Sequence, residues 1–192
     1  MIFGEVLADP LYLVVNCAET RLQVVLGGLH GCAWSESFHA PGRAMPLLAP
    51  SIARGFKHLG IDAGGLRGVA YVCGPGSFTG LRMSIAHVLG LSQAANIPVA
   101  GLEYLPLLAA APGLLVNGRL WCIVHSRHKQ VYAQKFDCPQ KMPADGPRVF
   151  CVGNAPGAFA LRRLPGTWFG SIPESGNDTR RFPDRYTAGC FQ

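Results

Sequence analysis

The sequence predicts an α/β fold, and three observations lead to it. Short apolar runs of strand length, such as LYLVVN at residues Leu11 to Asn16, alternate with segments whose apolar residues recur at helical spacing. An N-terminal meander of three strands is followed by helix, strand, helix and strand in turn. The stretch VCGPGSFTGLR, Val72 to Arg82, is a glycine-rich turn between a buried strand and a helix.

The elements follow in order. Leu11 to Asn16 and Leu22 to Leu26 read as two strands joined by a turn at Glu19-Thr20-Arg21, and GGLHG turns the chain into a third strand, Cys32 to Phe38. Met45, Leu48, Ile52, Phe56 and Leu59 fall on one face of a helix from Met45 to Leu59, with Pro46 tolerated in its first turn and Gly60 as terminator. Gly68 to Cys73 is a short buried strand, and a helix from about Gly80 to Ala95 is ended by Asn96 and Pro98. PVAGL offers another strand and EYLPLLAAAP a short helix. Gly113 marks a boundary, giving an N-terminal lobe over residues 1–112 and a smaller one over 113–192. In the second lobe Leu120 to His125 and Gln130 to Phe136 form a hairpin, Val149 to Val152 a strand and Asn154 to Leu161 a short helix. From Pro165 the chain is rich in Gly, Pro and Arg with little periodicity, so a loosely ordered tail is expected.

With 192 residues, 49% hydrophobic and 15% charged, the chain can bury a sizeable core and is neither disordered nor fibrous. Met1 to Cys17 lacks a basic leader, and Asn16 stands where a lipoprotein cleavage site needs a small residue, so a cytoplasmic location is expected. Met83 to Leu102 contains no Asp, Glu, Lys or Arg, but His87, Gln93, Asn96 and Pro98 make it a poor membrane span. Seven cysteines without a C-x-x-C spacing read as free buried thiols. The net charge of +6 is uneven: residues 1–118 hold six basic and six acidic side chains, residues 119–192 eleven and five. Such an excess attracts RNA or an acidic protein surface, or is simply a solvated basic region.

The helix after the glycine turn is apolar on two sides. Leu81, Ile85, Val88, Ser92 and Ala95 can cover a sheet, while Met83, Ala86, Gly90 and Ala94, flanked by His87 and Leu91, form a second stripe of small apolar residues. Small residues spaced by four let another backbone approach closely. That second neighbour is either the chain's own Met45–Leu59 helix, a partner subunit, or both.

The turn itself admits two readings. Gly74, Pro75, Gly76, Ser77, Phe78, Thr79 and Gly80, followed by Arg82, have the composition of a phosphate cradle, with exposed N–H groups and a helix N-terminus behind them. The segment lacks the Lys-Ser/Thr ending of a Walker loop and the spacing of a dinucleotide fingerprint. The other reading is a rigid turn in which Ser77 or Thr79 caps the helix.

GPGSFTGLR after a short strand, the helix ending in NIPVAGLEYL, the upstream MPLLAPSI helix and SRHKQVYAQKF at Ser126 to Phe136 together resemble the bacterial TsaB (YeaZ) family over residues 11 to about 160. The resemblance implies an actin-like, ribonuclease-H-like (ASKHA) two-lobe α/β fold, here with the second lobe shortened. It also implies a non-catalytic scaffold that binds and activates the TsaD enzyme in making threonylcarbamoyladenosine (t6A) beside the tRNA anticodon. TsaE and ATP turnover belong to the same pathway, tRNA is reached through the complex, and family members form homodimers. The helices matching Met45–Leu59 and Gly80–Ala95 supply the family's interface, which places Leu48, Ile52, Phe56, Met83, Ala86, His87, Gly90, Leu91 and Ala94 at the contact.

Two departures bear on chemistry. Where the family has an Asp at the end of the first strand this chain has Asn16, and where it has Asp-Ala-Arg at the opening of the second lobe this chain has His125-Ser126-Arg127. Acids at the matching places of actin-like ATPases hold magnesium, and an amide or an imidazole is a poor ligand for that hard cation. No intrinsic cofactor is therefore expected, with ATP or ADP only within the complex. The rival function is a small actin-like ATPase or kinase that grips phosphate with GPGSFTG. His125 and His128 form a lone H-x-x-H without a third ligand, so no metal site is expected. Ser77 lacks a G-x-S-x-G elbow and a base, so no catalytic residue is assigned and a glycopeptidase is not supported.

Overall fold

The computed structural model describes residues 10–115, 117–125, 130–138, 142–143, 148–151, 166–170 and 187–191. The chain divides into two units, Met1–Leu102 and Glu103–Gln192.

In the first unit three strands form the meander: β1 (Leu11–Asn16), β2 (Arg21–Gly28) and β3 (Gly31–His39). β1 and β2 run antiparallel with Leu13 opposite Leu26 and Val15 opposite Val24. The period of two puts Leu11, Leu13 and Val15 of β1 and Leu22, Val24 and Leu26 of β2 into the core, which is why these apolar runs are strands. Helix α1 (Met45–Leu59) follows, then β4 (Leu66–Gly74), α2 (Phe78–Ala95) and β5 (Val99–Glu103). The sheet order is β3-β2-β1-β4-β5, with β4 parallel to β1. Leu48 and Ile52 of α1 and Val88 of α2 seal the core against this sheet.

Helix α1 has the limits its sequence signals demand. Pro46 lies in its first turn, and Gly60 ends it at a φ of 67° that suits glycine. Gly55 brings α1 close to the sheet, since a Cβ there would meet the Leu26 and Trp34 side chains at 2.7 Å. A polar clamp fixes the same approach. Ser51 Oγ donates to Glu36 Oε2 at 2.6 Å, Arg54 donates to both Glu36 oxygens at 2.8 and 2.6 Å, and its guanidinium lies 5.7 Å from the Phe38 ring centroid.

The Arg54 hydrogen bond holds the Glu36 carboxyl below its usual 4.5, with the Ser51 hydroxyl adding in the same direction. A carboxylate lowered by folding stabilises fully above its unfolded value and loses that contribution as the pH falls through the folded one. We therefore expect Glu36→Gln to flatten the acid side of the stability curve below about pH 4.5. Urea unfolding across that range checks this, and an unchanged slope would show that the clamp adds nothing. Both partners are solvated, so the effect is small.

The second unit opens with α3 (Tyr104–Ala110), followed by β6 (Gly118–His125), β7 (Gln130–Cys138), β8 (Met142–Pro143), β9 (Arg148–Cys151), β10 (Gly166–Gly170) and β11 (Thr187–Phe191). The strand order is β11-β10-β6-β7-β8, with β9 also pairing to β7. The expected boundary at Gly113 differs from the observed division after Leu102 because α3 packs on β6, β7 and β10 and so joins the second unit. Two strands, β10 and β11, lie in the stretch after Pro165 that lacks periodicity, with β10 parallel to β6 and antiparallel to β11. The expected helix at 154–161 lies outside the described residues, as do Ser126, Arg127 and His128. Among the described residues no helix is long and apolar enough to cross a membrane.

Candidate docking helix and its glycine loop

The turn between β4 and α2 is shaped by contacts with the end of β1. Gly74 ends β4 at a φ of 120°, a conformation that L side chains rarely adopt, and the Gly74–Pro75 peptide is cis. Ser77 N–H donates to the Ala18 carbonyl at 2.6 Å. A Cβ on Gly76 would collide with the Ala18 backbone, and one on Gly80 with the Cys17 carbonyl oxygen. The glycines thus let the start of α2 lie directly on the residues that follow β1.

Ser77 is also the N-cap, its hydroxyl accepting the Gly80 N–H at 3.3 Å. The cap starts α2 at Phe78, two residues before the Gly80 start read from the sequence. Phe78 and Thr79 are exposed in the first turn, Phe78 at 58%, and the Arg82 guanidinium lies 5.1 Å from the Phe78 ring centroid.

Asn16, where an actin-like ATPase would place a magnesium-holding acid, has both ends of its amide engaged. Oδ1 accepts the Ala18 N–H and Nδ2 donates to Gln23 Oε1, each at 2.9 Å. The engaged amide is a poor ligand for a hard cation such as magnesium, and within the loop the Ser77 N–H is turned to Ala18 and the Gly80 N–H to the helix cap. Burial pushes the neighbouring Cys17 thiol up to about 12, which removes it as a nucleophile, and burial does the same to Cys122. None of the described cysteines is in a disulfide; Cys17 and Cys122 are buried, whereas Cys32 and Cys73 are exposed, a correction to the expectation of buried thiols. Among the described residues no group of three or more His, Cys, Asp or Glu side chains could hold a metal ion.

The remaining candidates separate by burial. Leu48 is fully buried and Ile52 nearly so, both turned onto the chain's own sheet, and this withdraws them from the docking contact expected of them. Phe56, Met83 and Leu91 are half-buried against the same core, and His87 is half-buried. Ala86, Gly90 and Ala94 are exposed, and nothing lies within 4 Å of a Cβ built on Gly90. α1 does pack beside α2, but that contact leaves this face open.

The inward face of α2 is turned by roughly 50° from the reading made from apolar residues alone. The cause is Ser84, fully buried with its hydroxyl donating to the Leu81 carbonyl at 2.9 Å, so that a polar residue takes a core position. Met83 therefore moves toward the core, and Leu89, 39% exposed, enters the outer face beside Ala86, Gly90 and Gln93. The sequence reading missed Leu89 because it lay between the two stripes. It also missed Met45, 72% exposed at the start of α1, whose apolar character suggested the core.

The family model described as TsaD, tRNA N6-adenosine threonylcarbamoyltransferase, matches residues 45–142, just over half of the chain. No curated protein matches the sequence. Among solved structures, one described as an uncharacterized protein with similarity to peptidase YeaZ, from Pseudomonas aeruginosa, is 22% identical with a TM-score of 0.68. That match covers 84% of this chain and 75% of the other. A structure of YeaZ from Pseudomonas aeruginosa is 22% identical with a TM-score of 0.66, covering 76% and 70%. The chain has the two-lobe actin-like α/β fold of these YeaZ structures.

Proposed function

We propose that this chain, which belongs to the family TsaD, tRNA N6-adenosine threonylcarbamoyltransferase, serves tRNA modification as a non-catalytic subunit that binds and activates the TsaD enzyme. The observation that carries this reading is the outer face of α2, where Ala86, Leu89, Gly90 and Ala94 lie open to solvent beside Gln93, with Arg82 at the N-terminal end of the same side. Such a face is stabilised by about 25 cal/mol for each Å² of apolar area that a partner removes from water. Gly90 lets a facing helix approach closely, and Leu89 supplies the side chain that a pocket on the partner would take.

The closed glycine loop supports the non-catalytic part of the reading. It aims the docking helix by seating its first turn on Cys17 and Ala18. In this role the chain holds no nucleotide of its own, and TsaE with ATP or ADP acts only within the complex. In isolation the same face joins two copies into a homodimer in the cytoplasm, and tRNA is reached through the complex.

Gly90→Arg and Ala86→Glu both place a charge at exposed positions, so the chain is expected to fold normally and to lose co-purification with TsaD. A circular dichroism melt checks the fold. Retention of TsaD by both folded variants would overturn the docking reading. Hydrolysis of ATP by the purified chain alone, abolished by a Gly76 substitution, would favour the ATPase instead.

A further inference from the structure

The entry to β6 in the second unit carries a feature that the docking helix does not use. Asn117 and Gly118 form the single Asn-Gly pair among the chain's five asparagines. Asn117 is exposed, and among the described residues no hydrogen-bond partner holds its amide. Gly118 is exposed as well, at a φ of 107° and with nothing within 4 Å of a Cβ built on it. Residues other than glycine adopt that backbone only under strain, so the turn into β6 itself calls for a glycine after Asn117. Gly118 stands opposite Cys138 in the end pair of the β6–β7 ladder, and such end pairs open locally at little cost. The other asparagines lack this combination. Asn16 has both ends of its amide engaged, and Asn96 precedes Ile97, whose branched Cβ crowds its own backbone nitrogen. Asn154 and Asn177 precede Ala155 and Asp178 and lie outside the described residues.

We propose that Asn117 is a site of spontaneous deamidation, at which the chain converts its own neutral side-chain amide into a carboxylate. The Gly118 backbone nitrogen gives its proton to hydroxide and attacks Asn117 Cγ. The new bond from nitrogen to Cγ closes a succinimide ring, the bond from Cγ to the amide nitrogen breaks, and that nitrogen takes up a proton and leaves as ammonia. Water then opens the ring at either carbonyl. One opening gives aspartate, and the other gives isoaspartate, whose main chain runs through the side-chain carbons. The balance is one water consumed and one ammonia released. Glycine hinders the attack least of all residues, because its Cα carries no side chain beside the attacking nitrogen. The product adds a negative charge two residues before the exposed Arg119 and, as isoaspartate, lengthens the backbone by a methylene where β6 begins.

The test incubates the full chain at neutral and mildly alkaline pH, measures released ammonia and maps the modified residue by mass spectrometry of its peptides. One equivalent of ammonia per chain is expected, with a gain of a single mass unit confined to the peptide that holds Asn117 and isoaspartate among the products. The rate is expected to rise about tenfold for each unit of pH, because the attacking nitrogen must first lose its proton. It should fall within about tenfold of the rate in a free peptide of residues 114–120, since the end pair of the ladder frays readily. Asn117→Gln, whose longer side chain closes a ring far more slowly, is expected to release no ammonia over the same period. A chain that keeps Asn117 intact while the free peptide is fully converted overturns the proposal, whether or not the variant folds. Ammonia release from Asn117→Gln equal to that of the parent overturns it as well. The reaction needs neither TsaD nor tRNA, so its outcome is independent of the docking reading.

Discussion

Gly80→Ala is expected to destabilise the chain by about 3 kcal/mol, while Gly90→Ala on the same helix stabilises it by about 0.5–1 kcal/mol. Alanine is the better helix former, so propensity alone would make both changes favourable. At Gly90 nothing lies within 4 Å of the added methyl group, and propensity decides. At Gly80 the methyl group would run into the Cys17 carbonyl, a backbone atom that a rotamer change cannot move. Either the start of α2 lifts from β1 or the residues after Asn16 shift, and the Ser77 hydrogen bond to Ala18 is lost with them. Urea unfolding of the two variants measures the difference. If Gly80→Ala is neutral, α2 is not seated on β1 as described, and the loop remains available to a phosphate. If it is destabilising, TsaD binding should fall even at temperatures where the variant is folded, because the docking face is aimed by that seat.

What the sequence made legible was the local part of this arrangement. α1 has the predicted limits because Pro46 and Gly60 act on their own neighbours, and β1 because a period-two apolar run needs no distant partner. The start of α2 lies two residues before the position its sequence signals mark, because Ser77 and Thr79 can both cap and only the geometry selects Ser77. The closure of the loop could not be read at all, since it depends on Gly76 and Gly80 meeting residues some sixty positions earlier. The turn of α2 was obscured by Ser84, a polar residue that satisfies its hydroxyl within its own helix and so costs little to bury. β10 is not legible in the sequence because its pairing with β6 joins Thr167 to Leu120 across a long separation, and a five-residue strand has little periodicity to show.

Leu48 supplies the second large effect, and it separates core from interface. Apolar spacing marks one stripe on α1 but not the direction it faces, and a stripe spent on the chain's own sheet is no longer available to a partner. Leu48 is fully buried in the cluster with Leu13, Leu22 and Leu26, so Leu48→Ala is expected to cost about 3 kcal/mol through lost burial and a residual cavity. Affinity for TsaD, measured by titration where the variant remains folded, should stay at the parental value, since the outer face of α2 is untouched. Gly90→Arg is expected to do the reverse, with stability near that of the parent and TsaD binding lost. A Leu48→Ala chain of parental stability that binds TsaD weakly would place Leu48 at the contact and reverse the assignment of α1's faces. The opposite pair of results would confine docking to residues that the core leaves exposed, Ala86, Leu89, Gly90 and Ala94.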